Sequence, residues 1–309
     1  MTNSRPPVAL IAGPTASGKS ALALRLAETT GGAVINADSA QVYRDLPILS
    51  AAPSPEDRKR AEHLLYGVLD GAQPCSAADW AEMAKVEIAR LHGAGRLPIL
   101  AGGTGLYLRT LLEGIAPVPA IDPDIRAGVR AASVGENLAA LAPLDPVAAA
   151  TLNPGDTTRI ARALEVVKST GKTLAEWQKH REGGIGDAVD LKVLVLLPPR
   201  HWLYERCDLR FSQMVAQGAL TEVEALLARK LDPELPVMRA IGVAEMAAYM
   251  RGECSMDDAI ASGRQATRRY AKRQYTWFAH QPPPGWPRFH DELEGGAIER
   301  ALALLGVAG

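Results

Sequence analysis

The sequence predicts an α/β fold with a doubly wound parallel sheet and a helical insertion. Short apolar runs alternate with helix-like stretches over the first hundred residues, and one run ends in a glycine-rich turn that leads into a helix. An alanine-rich helical stretch separates these runs from a later apolar run. Apolar runs bounded by turn residues are typical of buried parallel strands, and their alternation with helices favours helices on both faces of the sheet.

Five apolar runs are the predicted strands, at 8–13, 33–38, 63–70, 97–103 and 191–199. The clearest helix between them spans 76–95, because it opens at a serine and ends near glycines. The remainder after 199 is predicted to be helical and to close in "HQPPPGWP" (280–287), through which no helix can continue.

The stretch 116–188 is predicted to be the helical insertion domain. The α/β core then comprises 1–115 and 189–309, with basic helices towards its C-terminal end. Proline-rich sequence opens the insertion and "REGGIGDAVD" (181–190) closes it as a flexible return. One helix within it is expected to begin near Asp156 or Thr157.

Composition argues against several classes of protein. The formal net charge of −1 provides no global attraction to nucleic acid or a membrane surface, so such affinity needs a local patch. The three cysteines are far apart, which argues against a disulfide framework or a zinc site. No run reaches the roughly 20 apolar residues that a membrane-spanning helix needs. We expect a cytoplasmic monomer.

The glycine-rich turn matches the phosphate-binding pattern GxxxxGK(S/T) in full, between a predicted strand and a predicted helix. Its residues are Gly13, Pro14, Thr15, Ala16, Ser17, Gly18, Lys19 and Ser20. Glycines let the backbone amides curl around phosphate oxygens, Lys19 neutralises their charge, and Ser20 can ligate Mg²⁺. The predicted core is therefore P-loop NTPase-like, and its ligand carries a diphosphate.

Polar residues at the ends of later strands are expected to face the same phosphates. The strand 97–103 is followed by Thr104 rather than by the acid that an ATP-hydrolysing enzyme needs, and Asp70 is interpreted as a turn residue. Asp38 opens "DSAQ" (38–41), which places a hydroxyl and an amide beside a carboxylate. That carboxylate could accept a proton from an acceptor substrate, although an Asx turn explains the same residues.

A local basic patch lies between Ala259 and His290, a stretch without acidic residues. Arg264, Arg268 and Lys272 recur every four residues along one helical stripe, with Arg269 and Arg273 beside it. Cations on one face with aromatic residues nearby suit contact with a phosphate backbone and base stacking. A solvated basic helix that packs its aromatic residues in the core would give the same pattern.

Together these stretches resemble one family along nearly the whole chain, the tRNA dimethylallyltransferases (bacterial tRNA isopentenyltransferases). The motifs that carry the resemblance occur in this order: "GPTASGKS" (13–20), "DSAQVYRDL" (38–46), "CSAADWA" (75–81), "GGTGLYLRTLLEG" (102–114), "DPDIR" (122–126), "DTTRIARALEV" (156–166), "RFSQM" (210–214), "MRAIGVAEM" (238–246) and "AKRQYTWF" (271–278). The sequence departs from the family pattern at 47–54 and at Val243 and Ala244.

The resemblance implies transfer of a dimethylallyl group from dimethylallyl diphosphate to N6 of the adenosine immediately 3′ of the anticodon, with release of diphosphate. It implies Mg²⁺ as cofactor and the tRNA anticodon stem-loop as partner, with the insertion contacting tRNA. Asp38 becomes the base for the amine proton, Thr104 lies at hydrogen-bond reach of the substrates, and Arg210 is an additional cation for the leaving group.

The resemblance also assigns contacts with tRNA, to Asp38, Ser39, Ala40, Gln41, Thr104, Arg126, Thr158, Arg159, Ile160, Ala161, Arg162, Arg239, Gly242, Lys272, Arg273 and Gln274. Two alternatives stay open. A small-molecule kinase would use the phosphate loop and Asp38 without RNA. An adenylate isopentenyltransferase would modify a free nucleotide, and the basic surface would then have no RNA to bind.

Overall fold

The computed structural model describes residues 5–307 and divides into two compact units. The first comprises the residues up to 112 and those from 186 onward, and the second is Glu113–Ile185. The first unit contains the sheet and the phosphate loop, and the second is helical.

The first unit is built on a parallel sheet with six strands among residues 5–307. They are β1 (Pro7–Ala12), β2 (Ala33–Asn36), β3 (Glu62–Leu64), β4 (Pro98–Gly102), β5 (Asp190–Leu196) and β6 (Arg288–Phe289). The order across the sheet is β3-β2-β4-β1-β5-β6. Strands β1, β2 and β4 are buried almost throughout, as expected for central strands covered on both faces.

The register of the central strands brings three loops together at one edge of the sheet. Ala12 of β1 pairs with Gly102 of β4, and Asn36 of β2 pairs with Ala101 of β4. All three strands therefore end at nearly the same level, and the loops that follow them leave the sheet side by side. This is the carboxyl edge, where ligands bind in open α/β sheets.

Helices cover both faces of this sheet. Before the second unit they are α1 (Lys19–Thr30), α2 (Pro55–Arg60), α3 (Ala77–Gly93) and α4 (Gly105–Glu113). Helices α5–α9 belong to the second unit, and the first unit continues with α10 (Arg200–Ala216), α11 (Ala219–Ala228), α12 (Val243–Met250), α13 (Met256–His280) and α14 (Ala297–Leu305). A 3₁₀ turn spans Pro236–Arg239. Trp80, Phe211 and Phe278 are the largest fully buried side chains in the described part of this unit.

Local sequence explains where helix α3 begins. The side chain of Ser76 accepts a hydrogen bond from Asp79 N at 3.1 Å, and the Asp79 carboxylate accepts one from Ser76 N at 2.9 Å. This reciprocal capping box satisfies two backbone donors that a helix start leaves unpaired. The helix predicted over 76–95 is thereby confirmed, with Ser76 as its N-cap.

One predicted strand was too long, and one strand was not predicted. Only residues 63 and 64 of the predicted strand 63–70 lie in β3, because Leu65 and Gly67 take φ angles of 61° and 64° that break the pleat. The strand that was not predicted is β6, which follows the stretch 280–287 where the predicted helical remainder closes, and which pairs with Val195 and Leu196 of β5. A strand of two residues next to prolines carries no periodicity that a sequence pattern could reveal.

The second unit has its own hydrophobic core. Its helices are α5 (Pro123–Ala131), α6 (Val134–Leu141), α7 (Pro146–Thr151), α8 (Thr157–Thr170) and α9 (Leu174–Trp177). Helix α8 supplies Ile160, Leu164 and Val167 to this core, which Leu141 of α6 completes. Asp156 caps α8 by accepting a hydrogen bond from Arg159 N, so the helix begins where the sequence predicted.

Within the described part of the chain, we find no helix with both the length and the apolar content to span a bilayer.

Candidate active site

The phosphate loop joins the end of β1 to the first turn of α1. Gly18 has a φ of 94°, an angle that favours glycine, and a Cβ at this position would lie 2.7 Å from Cδ2 of Leu293, so that side chain would have to shift. Lys19 Nζ donates a hydrogen bond to the carbonyl of Pro14 at 2.6 Å. The lysine therefore lies across the loop, where it can reach a bound phosphate.

Helix α10 brings two arginines to the outside of this loop. Arg210 Nη1 lies 3.4 Å from Oγ1 of Thr15, and Arg206 Nε donates to the carbonyl of Ala16 at 3.1 Å. They are one turn apart on one helix face. The structure therefore brings together Lys19 and Arg210, which the sequence predicted, and adds Arg206, which carried no motif of its own.

The cations of the loop affect one another. Burial lowers the pKa of Lys19 to about 8, while the Asp38 carboxylate opposes and the Arg210 guanidinium reinforces this shift. Burial also lowers the pKa of Arg210, and Asp38 again opposes the change. Two confined cations without a bound anion are electrostatically unfavourable, so the loop favours a polyanionic ligand.

Asp38 lies two residues beyond β2 and is held by its own loop. Its Oδ1 accepts a hydrogen bond from Ala40 N at 3.0 Å, so the Asx turn foreseen as an alternative does form. Asn36 fixes the same turn, because its Oδ1 accepts from Asp38 N at 2.8 Å and its Nδ2 donates to Asp38 O at 3.0 Å. The turn orients the carboxylate and is compatible with a role as base.

Thr104 connects the loop after β4 to the loop that carries Asp38. Its Oγ1 accepts a hydrogen bond from Ser39 N at 2.9 Å, and its backbone N donates to Ala37 O at 3.2 Å. Tyr270 of α13 also interacts with the Thr104 side chain, and burial, together with the nearby Asp38 carboxylate, raises the tyrosine pKa. Asp38, Thr104 and Tyr270 thus form one polar cluster at the carboxyl edge.

A cleft of about 750 Å³ opens beside the phosphate loop. Its cationic lining comprises Lys19, Arg25, Arg60, Arg206 and Arg210, and its apolar lining includes Leu24, Leu209 and Ile298. Asp57 and Glu299 also line the cleft and form ion pairs with Arg60 and Arg25, so Lys19, Arg206 and Arg210 beside the phosphate loop are its main anion-binding cations. A cleft with this lining can accept a ligand that joins an anionic group to a short hydrocarbon.

Ser20 is exposed in the first turn of α1 and is part of the cleft lining, so its hydroxyl suits one oxygen position around Mg²⁺. The other oxygen ligands would come from the diphosphate and from water, as is usual for this ion. No group of three His, Cys, Asp or Glu side chains among residues 5–307 is arranged to hold a metal.

Comparison with known proteins identifies the family. Residues 41–281 match the family described as IPP transferase. The chain belongs to the IPP transferase family. A tRNA dimethylallyltransferase of Sphingopyxis alaskensis is 62% identical over 299 residues, which cover 96% of this chain and 98% of that protein. The corresponding protein of Zymomonas mobilis is 52% identical over 302 residues, with 97% of each chain covered. The family predicted from the sequence is confirmed.

Solved structures of the IPP transferase family confirm the P-loop-like α/β fold. The full-length tRNA isopentenylpyrophosphate transferase of Bacillus halodurans aligns with a TM-score of 0.70 at 31% identity, over 98% of this chain and 95% of its own. A eukaryotic dimethylallyltransferase solved while acting on tRNA aligns with a TM-score of 0.75 at 28% identity, over 88% of this chain and 69% of its own.

The residues predicted to contact tRNA near Asp38 divide into two groups. Ser39 and Ala40 are half-buried beside the Asp38 carboxylate. Gln41 is buried, and its Nε2 donates to the carbonyls of Ser50 and Ala51 at 2.9 and 2.8 Å. The Gln41 side chain therefore holds the segment 47–54, a use that differs from the predicted contact.

The exposed basic surface of α13 is smaller than the sequence predicted. Arg268 forms an ion pair with Asp208 of α10 at 2.6 Å, and Arg264 donates to Ser212 Oγ at 2.6 Å. These two members of the predicted stripe thus hold α13 against α10. Exposed cations remain at Arg269, Lys272 and Arg273.

Gln274, also predicted to contact tRNA, lies inside the protein. It is buried, and both ends of its amide form hydrogen bonds inside the protein. Gly242 is likewise buried, at the N-cap of α12. Arg239 is exposed and forms an ion pair with Glu234.

In the helical unit, the predicted contact residues lie on two faces of α8 and on α5. Arg126, Thr158 and Arg159 are exposed. Ile160 and Ala161, also predicted to contact tRNA, have their side chains buried in the core of the unit. Burial lowers the pKa of Arg162, and the neighbouring Arg126 contributes to that shift, which shows that cations are concentrated here.

Proposed function

We propose that this chain transfers a dimethylallyl group from dimethylallyl diphosphate to N6 of the adenosine immediately 3′ of the anticodon in tRNA, with release of diphosphate. The observation that carries the proposal is the meeting of the phosphate loop with the Asp38–Thr104 cluster at one sheet edge, in a member of the IPP transferase family.

The reaction forms a bond between N6 of adenine and C1 of the dimethylallyl group and breaks the bond between C1 and the diphosphate oxygen. Negative charge develops on that oxygen, where Lys19, the loop amides and Arg210 stabilise it. Asp38 accepts the proton that N6 loses as its new bond forms. Thr104 holds the Asp38 loop in place through Ser39 N and lies at hydrogen-bond reach of the substrates.

Mg²⁺ bound at Ser20 would add positive charge to the diphosphate and make it a better leaving group. The residues that would hold the rest of the substrate are the cations of the cleft and its apolar wall.

The RNA partner is an anticodon stem-loop, whose unpaired bases are accessible at little energetic cost. The exposed Arg269, Lys272 and Arg273 of α13 suit its phosphates, and so do Arg126 and Arg159 of the insertion domain. We further propose that the protein works as a monomer in the cytoplasm.

The test is transfer of labelled dimethylallyl from its diphosphate to an anticodon stem-loop in the presence of Mg²⁺. A matched stem-loop with guanosine at the target position is the RNA control, and free AMP and ATP are offered separately. Label on the adenosine stem-loop alone supports the proposal. Label on AMP alone would make the chain an adenylate isopentenyltransferase, and ATP consumption without transfer would make it a kinase.

A further inference from the structure

Gln274 connects the two halves of the candidate active site. Its Oε1 accepts a hydrogen bond from the backbone N of Thr15 in the phosphate loop at 2.7 Å. Its Nε2 donates to the carbonyl of Gly103, directly before Thr104, at 2.8 Å. One buried amide of α13 therefore spans the loops after β1 and β4.

The neighbouring backbone leaves space for this amide. A Cβ on Gly103 would lie 2.3 Å from Nε2 of Gln274, closer than any two such atoms can approach. One turn further along α13, the indole of Trp277 would meet a Cβ on Gly105 at 2.6 Å. Gly103 and Gly105, on either side of Thr104, thus leave space for two side chains of α13.

Helix α13 presents different chemistry on its two sides. Tyr270, Gln274 and Trp277 follow the i, i+4, i+7 spacing of one helix face, and all three reach the Thr104 loop. Arg269, Lys272 and Arg273 are exposed instead. A change in the position of α13 would move the exposed cations and the buried amide together.

The geometry points to Gln274 as a positioning residue that fixes the distance between the phosphate loop and Thr104, and so between the diphosphate and the acceptor amine. This inference rests on the proposed function. A small displacement of the reacting groups lowers the reaction rate strongly. Loss of the Gln274 amide should therefore reduce the rate of transfer far more than it reduces the affinity for RNA.

The experiment replaces Gln274→Met, which keeps the length of the side chain and removes both hydrogen bonds. The exposed Gln265 of the same helix provides the control Gln265→Met. We measure kcat, the KM for dimethylallyl diphosphate and the KM for the stem-loop, and we follow unfolding by circular dichroism to confirm that both variants are folded at the assay temperature.

The expected result for Gln274→Met is a loss of about a hundredfold in kcat/KM for dimethylallyl diphosphate, with the KM for RNA changed by about twofold or less. Gln265→Met should match the wild type. A folded Gln274→Met protein with unchanged kcat/KM overturns the inference. So does a variant whose KM for RNA rises while kcat is preserved, because Gln274 would then be an RNA contact.

A second variant covers the case in which Gln274→Met does not fold. Gly103→Ala places a methyl group against Nε2 and should give the same kinetic pattern. Binding of inorganic diphosphate without RNA separates the two proposals. If the wild type transfers nothing, the proposed function fails, whereas about tenfold weaker diphosphate binding by Gln274→Met would still support the positioning role.

Discussion

The turn that holds Asp38 makes this residue the most direct test of the proposed chemistry. Asp38→Asn keeps an oxygen that can accept from Ala40 N, so the turn is preserved while the proton acceptor is lost. We expect the rate of a single turnover to fall by about a hundredfold to ten-thousandfold, with binding of dimethylallyl diphosphate little changed. Rapid-quench measurement of labelled stem-loop tests this, and a variant with normal single-turnover rate would exclude Asp38 as base.

Lys19 should make binding of the diphosphate depend on pH. Its pKa, lowered chiefly by burial to about 8, means that the free protein loses this positive charge as the pH rises through 8. We expect the affinity for dimethylallyl diphosphate to fall by up to about tenfold per pH unit above that value. Isothermal titration calorimetry at several pH values measures this affinity. Lys19→Gln should bind dimethylallyl diphosphate weakly, and its affinity should not fall as the pH rises through 8.

The lowered pKa of Lys19 affects the stability of the fold in the opposite direction to its effect on diphosphate binding. Between pH 8 and 10.5 the unfolded chain binds the Lys19 proton and the folded chain does not, so the contribution of Lys19 to the free energy of unfolding rises with pH there. Below pH 8 the cost of a buried ammonium is fully present. The lysine is thus placed for binding at the expense of stability, which is common at functional sites.

At the scale of elements, the two sides of α13 lead to separable effects. Replacing Lys272 and Arg273 together by Gln should weaken RNA binding about tenfold and reduce the salt dependence of log K by roughly one to two units. The value of kcat should change by about twofold or less, because neither side chain contacts the Thr104 loop directly and Arg273 lies only over the ring of Tyr270. Filter binding over a salt series measures this, with Lys230→Gln at an exposed site outside α13 as control. An unchanged salt slope would remove α13 from the RNA surface.

Elements with strong local signals could be predicted from the sequence. The phosphate loop and the serine that opens the helix over 76–95 were both found where the sequence placed them. The strand 63–70 was overextended, since the left-handed angle at Leu65 has no signature in a leucine. Strand β6 was missed because its stability comes from β5, a partner far away in the sequence.

The site shows the same limit. Lys19, Asp38 and Thr104 could be expected together because the ends of parallel strands meet at one edge of the sheet. Arg210 was added to them only by the resemblance to the family. It could not distinguish Arg268, which pairs with Asp208, from Lys272, which is exposed, because both lie in one basic stripe. Which cation finds an acidic partner depends on the packing of α10 against α13, and this is a property of the tertiary structure.

At the scale of the molecule, the helical unit should respond to mutation by itself, since it has its own core. Leu164 is buried in that core, so Leu164→Ala should destabilise the unit by about 2–5 kcal/mol. We expect hydrogen exchange to accelerate within residues 113–185 and to stay unchanged in the sheet. Leu144→Ala, at an exposed site of the same unit, is the control. Equal acceleration in the sheet would show that the two units unfold together.

The contact between Gly18 and Leu293 has a consequence for how the protein is made. During synthesis Leu293, whose side chain packs against the phosphate loop, is added long after Gly18. Strand β6, at Arg288–Phe289, is also added long after the loop. A nascent chain therefore has the phosphate motif without its supporting neighbour, and we expect binding of diphosphate only after Leu293 has left the ribosome.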